Sequence, residues 1–263
     1  MKKLIALLIA LVFLLAACSN SGNENDTTDE SAKVTNGDIA EQTTNDPNVL
    51  DVKTEEQLKN TAEYLTKAIA GSTSGFSSNV KNPTKKLVPP NEENQKSIVT
   101  FLALMMNYSN PEKSPKTANT IYSGLIYMDD NSFYHLNKTA ASKILNDVFA
   151  IKSYDEAANV LTQQLSFKYD KKLDEYTSRL EFSIPYEWAC DKISKVEINK
   201  EKREITVEYT VENIFSFADE AKEEITKYNC VNVYTYAADD SNEYSLKLKS
   251  MEVKDFLKET NPD

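Results

Sequence analysis

The sequence predicts an α+β fold, with about four N-terminal helices and one β-hairpin packed on a C-terminal antiparallel β-meander. Two observations predict it. Apolar residues recur at helical spacing through 54–165, then alternate with period two through 166–254. The two patterns are segregated along the chain, which favours separate helical and sheet layers over a βα alternation. A third observation sets the scale: residues 51–263 are enough for a single domain with a real core.

The first helix is expected to start at Thr54. Thr54-Glu55-Glu56-Gln57 matches a capping box, and two acids in the first turn suit the helix dipole. Leu58, Ala62, Leu65 and Ile69 share one face, and Gly71 supplies a stop. After a polar loop over 72–90, a second helix is expected from Asn91 to Tyr108. Its second half, with Phe101, Leu102, Leu104, Met105 and Met106, is apolar nearly all round, which marks a buried core helix. Residues 120–128 and 133–136 flank Asp129-Asp130-Asn131-Ser132 and read as a hairpin. A third helix follows from near Thr139, with Ala141, Ile144, Leu145, Val148 and Phe149 inward. Ser153-Tyr154-Asp155-Glu156 is a second capping box and opens a fourth helix to Leu165.

From Phe167 the alternation begins. Tyr176, Leu180, Phe182 and Ile184 share one strand face. Ile205, Val207, Tyr209 and Val211 alternate with Glu204, Thr206, Glu208 and Thr210. Strands over 193–199, 203–213, 230–238 and 243–253 would form the meander. Residues 219–228 are rich in Ala, Glu and Lys and read as a short helix, with the splayed end of a long hairpin as the alternative.

The N-terminus carries a different signal. Lys2 and Lys3 precede an apolar run of about 11 residues, 4–14, too short to span a bilayer, which needs roughly 20. Leu15-Ala16-Ala17-Cys18 follows directly and resembles the lipobox of bacterial lipoproteins. The resemblance implies that residues 1–17 are a signal peptide and that Cys18 receives a diacylglyceryl group on its thiol. It also implies an extracytoplasmic, membrane-anchored location in a bacterial envelope. Residues 19–50 are polar and read as a tether, spanning on the order of 30 Å as a coil.

Composition excludes several classes. Net charge is −11, near −13 without Lys2 and Lys3, so an acidic surface argues against nucleic acid. The five glycines form no phosphate loop, dinucleotide fingerprint or nucleophile elbow. A single histidine, His135, excludes multi-histidine zinc sites, and its place on a strand reads as a half-buried side chain. Ser78-Asn79-Val80-Lys81 matches SxxK by letters alone, without the partner motifs. Asp129-Asp130-Asn131 and Asp239-Asp240-Ser241-Asn242-Glu243 read as turn chemistry rather than calcium loops. No catalytic residue, cofactor or metal ligand is assigned.

Two sets of residues stay open. Cys190 and Cys230 are either a disulfide pair or two small buried thiols. Tyr186, Trp188, Tyr234 and Tyr236 are where a binding surface would lie, against the alternative of cross-strand packing. The functional expectation is a non-enzymatic lipoprotein that binds an envelope protein or a cell-wall component. The alternative is an envelope hydrolase that acts on glycan with a carboxylate pair.

Overall fold

The computed structural model describes residues 50–76, 87–112, 115–156, 167–179, 188–216 and 223–260. Within them the α+β class holds, with three α-helices and eight strands in two antiparallel sheets. The arrangement differs from the expected one in how the strands are shared out.

Helix α1 spans Val52–Ser72. It starts earlier than Thr54 because Asp51 caps it: Asp51 Oδ1 accepts the Thr54 N–H at 2.8 Å. Helix α2 spans Gln95–Tyr108. Its start is later than Asn91, whose side chain is spent on a turn, accepting from the Glu93 N–H and donating to the Pro89 carbonyl. Asn94 caps α2 instead, through the Ser97 N–H. A 3₁₀ turn, Pro115–Asn119, follows. Strands β1 (Ile126–Met128) and β2 (Phe133–Asn137) form the hairpin, and Asn137 then caps helix α3 (Lys138–Phe149). The fourth expected helix, opened by Ser153-Tyr154-Asp155-Glu156, is not helical over 153–156, and the rest of it to Leu165 lies outside the described residues.

Strands β3 (Lys168–Asp170) and β4 (Glu175–Arg179) do not join the C-terminal sheet. They complete the β1–β2 hairpin as one sheet of order β1-β2-β4-β3. Tyr176 on β4 explains the capture. Buried on the core face opposite Leu136, it stacks with Phe167 at 5.4 Å and packs against Tyr154 and Tyr169.

The second sheet is a meander of β5 (Ala189–Asn199), β6 (Glu204–Ser216), β7 (Glu223–Ala238) and β8 (Tyr244–Thr260). Residues 223–228 are therefore strand, not helix. Their pairing with 211–216 and 256–260 on both sides outweighs local helix propensity. One face of this sheet is lined by Ile205, Val207, Tyr209, Val211, Tyr228, Tyr234 and Leu246, all buried. Helix α1 covers that face over β5 and β6, and α3 packs on β8. Helix α2 lies on the other side of α1, so Leu58, Leu65, Ile69, Phe101, Leu102 and Met105 form one core with the sheet. Gly71 permits the approach of α1 to α2, since a Cβ there would stand 2.7 Å from Leu104 Cδ1.

The two outer strands of this sheet differ from the two inner ones. The β6–β7 ladder runs without a register shift. Strand β5 carries Asp191 and Ser194 as extra residues, and β8 carries Lys249 and Lys254. Bulges with polar or charged residues twist an edge and discourage strand addition from another molecule.

Candidate functional site

The tyrosine–tryptophan row expected as a binding surface is inside the molecule. Trp188 is 5% exposed and packs between Phe76 and Tyr228, with ring centroids 5.1 and 5.0 Å away. Tyr234 is fully buried, and its hydroxyl meets the Thr66 hydroxyl at 2.8 Å. Asn232 Nδ2 donates to the same hydroxyl at 3.2 Å, and the Tyr209 hydroxyl donates to Asn232 Oδ1 at 3.0 Å. Tyr236 is buried beside Tyr244. The correction has a physical reason. Both faces of β7 carry apolar residues, and the tyrosine face turns inward under α1, where Thr66 and Asn232 supply partners for the Tyr234 hydroxyl, while the buried Tyr236 hydroxyl has none among the described residues. Tyr186 lies outside the described residues, as does Cys18.

Cys190 and Cys230 are both free. They sit on β5 and β7 with β6 between them, Cys190 opposite Val211 and Cys230 opposite Tyr209. Alternate strands are about 10 Å apart, beyond the roughly 7 Å Cα separation that a disulfide tolerates. Burial pushes both thiols up to about 12.

His135 is the centre of a cluster of titratable side chains on the smaller sheet. Its Nδ1 lies 3.2 Å from Glu175 Oε2 and its Nε2 lies 3.3 Å from Asp129 Oδ2. The Asp129 approach lacks the alignment of a hydrogen bond. Tyr127 stacks on the imidazole at 4.8 Å with an interplanar angle of 7°, and its hydroxyl donates to Glu175 at 3.0 Å. Each ring nitrogen thus faces a carboxylate, and among the described residues neither faces a hydroxyl or thiol that it would deprotonate. A glycan hydrolase needs two carboxylates with room for sugar and water between them. Here the imidazole fills the space between Asp129 and Glu175. The cluster ties the β1–β2 turn to β4.

The acidic turns use their carboxylates internally. Asp129 Oδ1 accepts the N–H groups of Asn131 and Phe133, and Asp239 Oδ1 accepts those of Ser241 and Glu243. These bonds hold both carboxyls below the ordinary 3.8, led at Asp129 by the Phe133 N–H and at Asp239 by the Ser241 side chain. Four hairpin loops follow one recipe. Asp129, Asp170, Asn199 and Asp239 each bond forward to backbone N–H groups, and Ser132, Asp174, Arg203 and Asn242 take the left-handed conformation.

A groove of about 380 Å³ runs between α1 and the open edge of β5. On the helix side Glu56, Lys59, Asn60 and Glu63 form one stripe at i, i+3, i+4 and i+7. On the strand side the groove is bounded by 193–196, where Ser194 is a bulge residue. Lys116 of the 3₁₀ turn closes one end, paired with Glu63 at 2.8 Å. Lys59 pairs with Glu55 at 2.6 Å and Lys195 with Glu197 at 2.8 Å. Lys200 also reaches Glu55, at 2.7 Å, which pins the β5–β6 turn to α1. Asn60 is only 6% exposed.

Sequence reasoning missed this groove. The polar stripe of α1 was legible as the solvent face of an amphipathic helix. Nothing in the sequence says that β5 lies beside it, or that Ser194 is a bulge. No family model, curated protein or solved structure matches this chain.

Proposed function

We propose that the chain is a lipid-anchored extracytoplasmic lipoprotein of a bacterial envelope, whose domain binds a protein partner or a cell-wall component and performs no reaction of its own. The observation that carries the reading is Leu15-Ala16-Ala17-Cys18, placed directly behind a short apolar run with Lys2 and Lys3 ahead of it. Acyl chains on Cys18 bind the bilayer at about 0.8 kcal/mol for each buried CH₂, so two chains hold the molecule there. The polar stretch 19–50 lets the domain stand off the membrane. The domain contributes a polar groove beside an edge strand, the kind of concave surface that takes up a ligand.

The test is retention. The full chain in detergent is incubated with purified cell wall and, separately, with cross-linked envelope extract. Retention on the wall without release of sugar, or recovery of one stoichiometric protein, is the expected result. Release of soluble glycan fragments, or retention by neither material, would overturn the reading.

A further inference from the structure

The edge strands of the two sheets are not alike. In the meander both edges are bulged, β5 at Asp191 and Ser194 and β8 at Lys249 and Lys254. In the smaller sheet β3 opens with the exposed Lys168, a charge that discourages pairing. Strand β1 has neither device. Its ladder with β2 runs without a register shift, and it carries no charge over Ile126–Met128. The Asp129 N–H bonds to the Phe133 carbonyl at 2.9 Å, so 129–133 and 127–135 are the bonded pairs of this ladder. The N–H and C=O groups of Ile126 and Met128 therefore point away from β2, and β1 has no neighbour on that side among the described residues. The edge is open to solvent: Tyr127 is 49% exposed and Met128 57%.

We propose that β1 takes up an extended segment of a basic protein partner by strand addition, with an aliphatic residue opposite Ile126 and a lysine or arginine next to it, opposite Tyr127. Three features of the strand fit this one occupant. The outward groups of Ile126 and Met128 supply the backbone bonds. At the start of the strand lies a cavity of about 150 Å³, with Tyr64, Pro111, Ala118 and Ile126 among its walls. Hydroxyls around it are spent, Tyr64 on the Met105 carbonyl, Thr120 on the Thr117 carbonyl and Ser123 on the Ala118 carbonyl, which leaves an apolar side chain as its complement. Ile126 lines the cavity, so the residue that pairs with Ile126 is on the cavity's side of the sheet and the next residue is on the other. That other side carries Tyr127. Its ring is held from behind by His135 and at its hydroxyl by Glu175, which leaves the front face open with little rotamer freedom to lose. Glu175 and Asp129 act on it as negative charges, and the exposed Asp130 follows in the turn. Lys168, the lysine of the same cross-strand row, is three strands away. An aromatic face beside carboxylates attracts a cation, and a net charge of −11 favours a basic partner over an acidic one.

The proposal rests on the reading of the domain as a binding module and places a protein partner at an edge separate from the groove beside β5. The probe is an acetylated, amidated pentapeptide alternating valine with lysine, titrated by calorimetry into the full chain in detergent. A valine–glutamate pentapeptide is its counterpart. Saturable binding of the lysine probe, with none or far weaker binding of the glutamate probe, is the expected result. Binding should slow amide exchange at Ile126 and Met128 and leave Tyr127, already bonded to His135, unchanged. Tyr127→Ala should weaken the lysine probe about two- to fivefold, the size of one exposed cation–π contact. Asp130→Lys, at an exposed turn position, should weaken it too and favour the glutamate probe. No saturable binding of the lysine probe at millimolar concentration would overturn the proposal. So would equal binding of the two probes, or unchanged exchange at Ile126 and Met128. If envelope material retains the Tyr127→Ala and Asp130→Lys chains as well as the parent chain, the β1 assignment fails while the binding reading stands. If it retains none of the three, both fail.

Discussion

Thr66 of α1 and Tyr234 of β7 share a hydrogen bond of 2.8 Å at the centre of the core, although 168 positions separate them. The bond is the first link of a buried chain that continues through Asn232 to Tyr209. It fixes how the helix sits on the sheet, because apolar packing alone is tolerant of sliding and a buried polar chain is not. Tyr234→Phe strands the Thr66 hydroxyl and part of the Asn232 amide. It is expected to cost about 1–3 kcal/mol in urea unfolding. Thr66→Val with Tyr234→Phe should cost less than the sum of the two single changes, since each removes the other's partner. Strict additivity would show that the two hydroxyls do not interact.

The thiols give a second prediction. Cys190 and Cys230 titrate near 12 because burial disfavours the thiolate, with mutual repulsion adding at Cys230. Their ordinary value is 9.0, so their folded values are raised. Such groups contribute stability that is complete below pH 9 and is lost as pH climbs through 12. In the Cys18→Ala chain, a thiol reagent at pH 8 should label neither residue in the native state and both in denaturant. Cys190→Ala and Cys230→Ala should each flatten the alkaline loss of stability. A missing thiol pair in denaturant under non-reducing conditions would reveal a disulfide and contradict the strand order.

Helix α3 ends with Ala150 at φ 59°, in the left-handed region. The Ala150 N–H bonds to the Asn146 carbonyl four residues back, the bond of an αL C-cap, and the Ile151 N–H bonds to the Leu145 carbonyl. Glycine tolerates this conformation without a Cβ penalty. Ala150→Gly is therefore expected to raise stability by about 1 kcal/mol, measurable as a higher Tm. The same change at the middle of α3 should lower it.

The acidic turns set the response to acid. Asp239 is depressed below 3.8 by the Ser241 side chain and the Glu243 N–H, so its contribution is present above that value and lost as pH falls through the lower folded value. Asp239→Ala should lower Tm at pH 7 and change it little at pH 2. Asp239→Asn keeps an acceptor oxygen without the titrating charge, and its Tm difference from the parent should vary in the same sense, shrinking or reversing in acid. A penalty for Asp239→Ala that is the same at both pH values would show that the carboxylate charge is not what holds the turn.

Much of the fold was legible because its signals are local. The inward faces of α1, α2 and α3 follow from apolar spacing, and the turns at 129–132 and 239–242 follow from Asp and Asn. What was illegible depends on contacts distant in sequence. Residues 223–228 carry helix formers and are held as strand by neighbours on both sides. Strand β4 reads like the meander strands that follow it, and only Tyr176 meeting Leu136 and Phe167 places it in the other sheet. The tyrosines of β7 show the same limit at the level of a site. Alternation assigns Tyr234 and Tyr236 to one face, but whether that face is wet depends on Thr66, far away in α1. Asn60 was a polar residue on a polar stripe, and its burial against β5 is a property of the assembled core.

The central claim is that this domain is held on a membrane through Cys18. The direct measurement is the mass of the N-terminal peptide from the full chain, produced in a bacterial host and extracted from its membranes. The account predicts a mature chain that begins at Cys18 and carries the mass of a diacylglyceryl group on that residue, and no such species from Cys18→Ala. A chain that retains residues 1–17, or that begins elsewhere with Cys18 unmodified, would contradict it.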